Sequence, residues 1–180
     1  MKPRNKAPLD GEALMELALR ALSGRAMSSS ELRERLRKRA ASSADVDSVI
    51  AKLKEAGYLD DRRFAESFAS ARKENQGFGR LRVIRDLRQR RVAPGLAERA
   101  VTQAFAGSDE AELIARYLER KYRGVELASY LSEDKNLASA FRRLRHAGFS
   151  AGGSIRALKR YAARADELEE VESEQDPGAE

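Results

Sequence analysis

The 180-residue chain is 42% hydrophobic, only 6% aromatic and 36% charged, a balance that suits amphipathic helices packed through Leu, Ala, Ile and Val. It has no cysteine, which excludes disulfides and thiolate metal centres and fits a reducing, cytoplasmic setting. The formal charge of +6 hides an asymmetry: residues 165–180 hold eight acidic side chains and no basic one, so 35 basic residues against the remaining 21 acidic ones leave residues 1–164 at +14. A body that basic attracts polyanions, and the acidic tail can shield it.

Residues 1–11 contain two of the four prolines and read as a flexible lead-in. Their positive charges are followed by no apolar run, so a secretory signal is not expected. No apolar stretch approaches the ~18–20 residues that span a bilayer. Glu12 to Leu22 has helical spacing through Leu14, Leu17, Ala18 and Ala21. Ser28 and Glu31 fit a capping box before a second helix that reaches about Ala40. Ser42 or Ser43 caps a third helix, which carries Val46, Val49, Ile50 and Leu53 and stops at Gly57.

Asp60-Asp61 places negative charge at the start of the next helix, whose stripe is Phe64, Ala65, Phe68 and Ala69. Gly77-Phe78-Gly79 breaks it. A helix from about Arg80 to Arg90 follows, then one opened by Pro94 and ending at Phe105. Ser108-Asp109-Glu110 starts a helix carrying Ile114, Tyr117 and Leu118. Residues 124–135 read as a longer link, Asn136 to His146 as a helix stopped by Gly148, and Gly152 to about Arg164 as the last helix. No alternating apolar and polar runs bounded by hairpin turns occur, so a sheet is not expected.

These elements repeat. Leu36, Leu87 and Leu144 are each followed fourteen residues later by Ile50, Val101 and Leu158, and seventeen residues later by Leu53, Ala104 and Tyr161. The spacing predicts an all-α, elongated array of three tandem three-helix repeats, in which the first and third make little contact. The boundaries are residues 1–11 for the lead, 12–58, 59–107 and 108–164 for the repeats, and 165–180 for the acidic tail.

Catalytic and metal chemistry lack candidates. His146 is the sole histidine, placed near a helix C-terminus where a cation is favoured. Gly77-Phe78-Gly79 lacks the Gly-Lys-Ser/Thr ending of a phosphate loop and reads as a turn. Asp60-Asp61 reads as capping, because adjacent residues on a helix point apart. The expectation is therefore no enzyme, no cofactor and no metal.

Basic residues are the candidate site. Arg80, Arg82, Arg85, Arg88, Arg90 and Arg91 fall within twelve residues. Val83, Ile84 and Leu87 form the buried face, which leaves Arg82, Arg85 and Arg88 together on an outer face. Arg142 and Arg145 occupy the matching positions of the third repeat, and Arg156, Lys159 and Arg160 extend the surface. In the first repeat Glu34 and Arg37 take those places, and the face is mixed. Guanidinium groups at fixed spacing suit a phosphate backbone or an acidic protein groove. Sparse aromatics favour backbone contacts over base stacking.

Gly57-Tyr58-Leu59-Asp60-Asp61 with Phe64-Ala65, then Gly77, Gly79 and the Arg-rich helix, then Arg145, Gly148-Phe149-Ser150 and Ile155, resemble the RecX family over residues 12–162. His146-Ala147 before Gly148 is a small departure. The resemblance implies a non-enzymatic, cytoplasmic regulator, a monomer, that binds the RecA nucleoprotein filament. It implies inhibition, for the most part, of recombinase, coprotease and ATPase activities, and so a role in DNA repair, recombination and the SOS response. Some relatives also bind single- or double-stranded DNA. A competing reading, a winged-helix transcription regulator over Ser28 to Asp61, requires a hairpin wing after Leu59, where a helical pattern starts instead.

Overall fold

The computed structural model describes residues 7–162 and Ala165. Among these residues the secondary structure is helical, apart from one isolated bridge between Leu9 and Ala40. The helices are α1 Gly11–Gly24, α2 Ser29–Arg37, α3 Ser43–Glu55, α4 Asp61–Ala71, α5 Arg80–Gln89, α6 Pro94–Ala104, α7 Glu110–Lys121, α8 Leu127–Leu131, α9 Asp134–Ala147 and α10 Ala151–Lys159. They group as α1–α3, α4–α6 and α7–α10, the tandem helical repeats that the period implies. Leu36, Leu87, Leu144, Val101 and Leu158 are fully buried, and Ile50 nearly so.

Several stretches differ from the sequence expectation, among them the last helix, which ends at Lys159 rather than near Arg164. After α4 the backbone widens to π geometry over Arg72–Gln76 and closes at Gly77, whose φ is 64°. Residues 124–135 are not all link, because Leu127–Leu131 is helical. The Glu126 carboxylate caps α8, accepting from the Ala128 and Ser129 amides at 3.1 and 2.6 Å. Leu131 is fully buried, so the third repeat gains a helix by burying one more leucine.

The chain divides into two compact units, Met1–Phe68 with Asp86–Ala100 and Ala69–Arg85 with Val101–Glu180. In the first, α1, α2 and α3 pack through Leu14, Leu32, Leu36, Ile50 and Leu53. Leu9 and Asp10, expected within the lead-in, are tied down. The Leu9 amide donates to the Arg39 carbonyl at 2.7 Å, the Ala41 amide donates back to the Leu9 carbonyl at 2.9 Å, and Asp10 caps α1. The start of α2 is fixed by partners distant in sequence. Ser28 Oγ accepts from the Glu31 amide at 3.0 Å and donates to the Arg90 carbonyl at 2.5 Å, while Asp61 Oδ1 accepts from the Ser29 amide at 2.6 Å. Two orphan donors of α2 and one carbonyl after α5 are thus satisfied together.

In the second unit Ile114, Leu118, Leu131, Leu144, Phe149 and Leu158 form the core, and Ala165 packs into it. The same device recurs at the start of α5. The Gly79 amide donates to the Ala147 carbonyl at 2.8 Å, and the Leu81 amide donates to the Gly148 carbonyl at 3.1 Å. Gly148 has φ 92°, and a Cβ there would overlap the backbone nitrogen and Cβ of Arg82. A Cβ on Gly79 would overlap the Gly148 carbonyl. Glycine is needed on both sides because two backbones touch here, and at Gly148 because the φ is left-handed as well.

Candidate polyanion-binding faces

Helix α5 begins without an acidic residue in its first turn and with Arg80 and Arg82 there instead. Positive charge at a helix N-terminus is unfavourable. The carbonyls at the end of α9 offset it by filling the amides, and nearby groups occupy both arginines. Arg80 donates to Thr102 Oγ1 at 3.2 Å and lies 5.8 Å from the Phe105 ring centre. Arg82 is half-buried, lies 5.1 Å from the Phe78 ring centre and donates to the His146 carbonyl at 3.2 Å. The expectation that Arg82 stands on an outer face with Arg85 and Arg88 is therefore corrected: its guanidinium folds onto the joint with α9.

Arg85 is exposed and forms no ion pair among the described residues, and the same holds for Arg142 on α9. Arg145 differs from them. It is half-buried, and its guanidinium donates to the Phe149 carbonyl at 2.7 Å. It serves the end of α9 rather than lying clear of the packed face, as the spacing suggested. Arg156 on α10 and Arg160 just after it are exposed but border a small groove with Asp109 and Glu110. Lys159 is exposed yet not free. The most available cations of the second unit are thus Arg85 and Arg142, followed by Arg156 and Arg160. Arg143, which the sequence did not single out, lies 5.8 Å from the Tyr122 ring centre.

In the first unit Arg88 is exposed and pairs with Glu98 at 3.1 Å. Both side chains are more than half exposed, so the pair is worth little and yields readily to another anion. Arg90 is a scaffold residue. It donates to Glu31 Oε2 at 2.9 Å and to the Ala26 carbonyl at 2.7 Å, and it lies 5.3 and 5.7 Å from the ring centres of Phe64 and Phe68. No local signal reveals this, because Glu31 and Ala26 lie 59 and 64 residues away in sequence.

Burial pushes the Glu31 carboxyl up, and the hydrogen bonds and charges of Arg25 and Arg90 outweigh it, so the net shift is downward. A carboxylate lowered in the folded state stabilises the protein above its ordinary pKa. That contribution is lost as pH falls through the lowered folded value. Arg90→Ala is expected to cost about 1–3 kcal/mol near neutral pH and to flatten the acid side of a stability–pH curve measured by urea unfolding. An unchanged curve would remove Arg90 and Glu31 from the account of stability.

The remaining candidates resolve as structure. Asp60 Oδ1 accepts from the Arg62 and Arg63 amides at 2.9 and 3.0 Å, and Asp61 serves α2. Arg120 clamps the Gly77 turn by donating to the carbonyls of Asn75 and Gln76. Glu110 accepts from the amide and hydroxyl of Ser150 at 2.8 and 2.6 Å, which anchors α10 to α7. Among the described residues no cluster could hold a metal ion, and no helix is long and apolar enough to cross a membrane.

Tandem three-helix modules with cationic helix faces define a class of all-helical repeat protein. A family model described as the first three-helix domain of RecX matches residues 15–53, and one described as the second matches residues 60–101. The chain is 32% identical to the regulatory protein RecX of Trichlorobacter lovleyi over 109 residues, 61% of this chain and 71% of that one. It is 30% identical to the RecX of Streptomyces coelicolor over 170 residues, 93% and 86% of the two chains. The crystal structure of RecX from Lactobacillus salivarius superposes with a TM-score of 0.67 at 19% identity, covering 84% of this chain and 96% of that one. This chain belongs to the RecX family of regulatory proteins.

Proposed function

We propose that the protein is a non-enzymatic regulator that binds the RecA nucleoprotein filament and, for the most part, inhibits its recombinase, coprotease and ATPase activities. The reading rests on family membership joined to one observation: exposed arginines on α5, α9 and α10 that no carboxylate among the described residues neutralises. The proposed binding set is Arg82, Arg85, Arg88, Arg142, Arg145, Arg156, Lys159 and Arg160, with Arg85 and Arg142 foremost and Arg82 and Arg145 shaping the joint beneath. The partners are the filament and the phosphates of single- or double-stranded DNA. Arginine suits both an acidic protein groove and a phosphate backbone, since its planar fork pairs bidentately with carboxylate or phosphate.

The test is RecA ATP hydrolysis on single-stranded DNA with the full chain added in increasing amounts. Dose-dependent inhibition supports the reading. No effect on RecA, together with tight binding to one specific duplex, would favour the transcription-regulator reading instead.

The charge asymmetry assigns residues 165–180 a shielding role over the basic body. Beyond Ala165 this tail lies outside the described residues; Ala165 itself is buried, so a clean truncation removes residues 166–180. That deletion is expected to tighten binding to random-sequence duplex DNA, chiefly below ~0.05 M salt, where charges act over longer distances. Equal affinity of truncated and full chains at low salt would leave the tail no part in shielding.

A further inference from the structure

We infer that a groove in the first unit, lined from α1 and α4, anchors an apolar, acid-flanked segment of a protein partner. The inference rests on the RecA reading above, and it assigns the groove to the protein of the filament rather than to its DNA. The groove has a volume of about 770 Å³, and Leu19, Leu22, Met27, Tyr58, Phe64 and Phe68 are among its lining residues. That volume accepts several apolar side chains of a docked segment. Two lining residues are solvent-facing in a way that packing does not explain: Tyr58 is 64% exposed and Leu19 39%. Tyr58 is held there by backbone. Gly57, with φ 76°, turns the chain at the end of α3, and the Tyr58 amide donates to the Leu53 carbonyl at 2.9 Å.

Charge selects the occupant. Asp60 spends its Oδ1 on the Arg62 and Arg63 amides, and Ser23 Oγ donates to the Arg20 carbonyl at 3.0 Å. Arg63 lines the groove, is exposed and forms no ion pair among the described residues. The rim therefore carries the unpaired Arg63 guanidinium beside a carboxylate that already caps α4, and the floor offers apolar surface. An apolar segment flanked by acidic residues complements both. A nucleic-acid strand needs repeated phosphate contacts, and the lining supplies one cation, Arg63.

The experiment compares the full-length wild type with Tyr58→Ser and Leu19→Ser, both at exposed positions. Unchanged helical circular dichroism and thermal midpoints check that the fold is kept. Each protein is titrated against RecA filaments on single-stranded DNA, and against the bare strand, over a range of salt. Each variant is expected to weaken filament binding roughly tenfold or more, the scale of one buried apolar side chain. The factor should be the same at every salt concentration, and affinity for the bare strand should not change. Arg63→Glu should weaken filament binding most at low salt.

Filament affinities equal to wild type overturn the inference. An equal loss on the bare strand also overturns it, since the groove would then hold nucleic acid. So does self-association of the wild type, by sedimentation, that both variants abolish, since a second copy would be the occupant. A wild-type chain that binds no filament at all overturns the RecA reading itself, a result distinct from binding that ignores the groove.

Discussion

Gly148→Ala is expected to destabilise the protein by about 2–5 kcal/mol, matching the loss from emptying a core leucine. Two costs combine. A left-handed backbone carries a penalty of ~1–2 kcal/mol for a residue with a Cβ. Gly148 has φ 92°. Overpacking adds roughly 1–3 kcal/mol, because the new methyl would meet the backbone and Cβ of Arg82 rather than the end of a flexible side chain. Relief requires α5 to move away from the end of α9, which breaks the bond from the Leu81 amide to the Gly148 carbonyl. Leu87→Ala is the comparator: Leu87 is fully buried, and its truncation should cost ~2–5 kcal/mol. Urea unfolding of the two variants beside wild type reads both values. A Gly148→Ala protein as stable as wild type would show that the close approach of α5 and α9 contributes nothing to folding.

Neutralising Arg85, Arg142, Arg156 and Arg160 together, each to Gln, is expected to weaken filament binding and flatten its salt dependence while leaving thermal stability unchanged. All four side chains are exposed and unpaired among the described residues. Every arginine–phosphate pair removed takes ~0.7–0.9 from the slope of log affinity against log salt. Four such pairs would change the slope by about 3 and the affinity near ~0.1 M salt by up to roughly a thousandfold. Arg145 is excluded from this set because its bond to the Phe149 carbonyl would go with it. The control is Arg35→Gln with Arg37→Gln on α2, where Glu31 and Glu34 already dilute the charge, and a smaller change is expected there. Equal inhibition of RecA ATP hydrolysis by wild type and the four-fold variant would move the binding surface away from these helices.

The repeat and its core are legible in the order of residues alone. Leu36, Leu87 and Leu144, with Ile50, Val101 and Leu158, recur at a fixed interval and are all buried. They can be read because a helix of period 3.6 must bury its apolar stripe, and the stripe is a local pattern. The caps are legible for the same reason: Ser28 and Ser42 accept bonds from amides two or three residues ahead. Short junction motifs carry the RecX resemblance.

Which arginines are free depends instead on packing between distant segments. Arg82, Arg85 and Arg88 look equivalent at helical spacing, yet one folds onto Phe78 and the His146 carbonyl, one stands clear and one pairs with Glu98. Partners that divide them include His146, 64 residues from Arg82, and no local pattern encodes such a separation. The extra helix at Leu127–Leu131 is hidden in the sequence because a five-residue helix is too short to show a period, and it is held by the burial of Leu131 and the Glu126 cap. The groove beside Tyr58 is hidden for a related reason. An apolar residue in sequence does not declare whether a neighbour covers it, and only packing leaves Tyr58 and Leu19 uncovered.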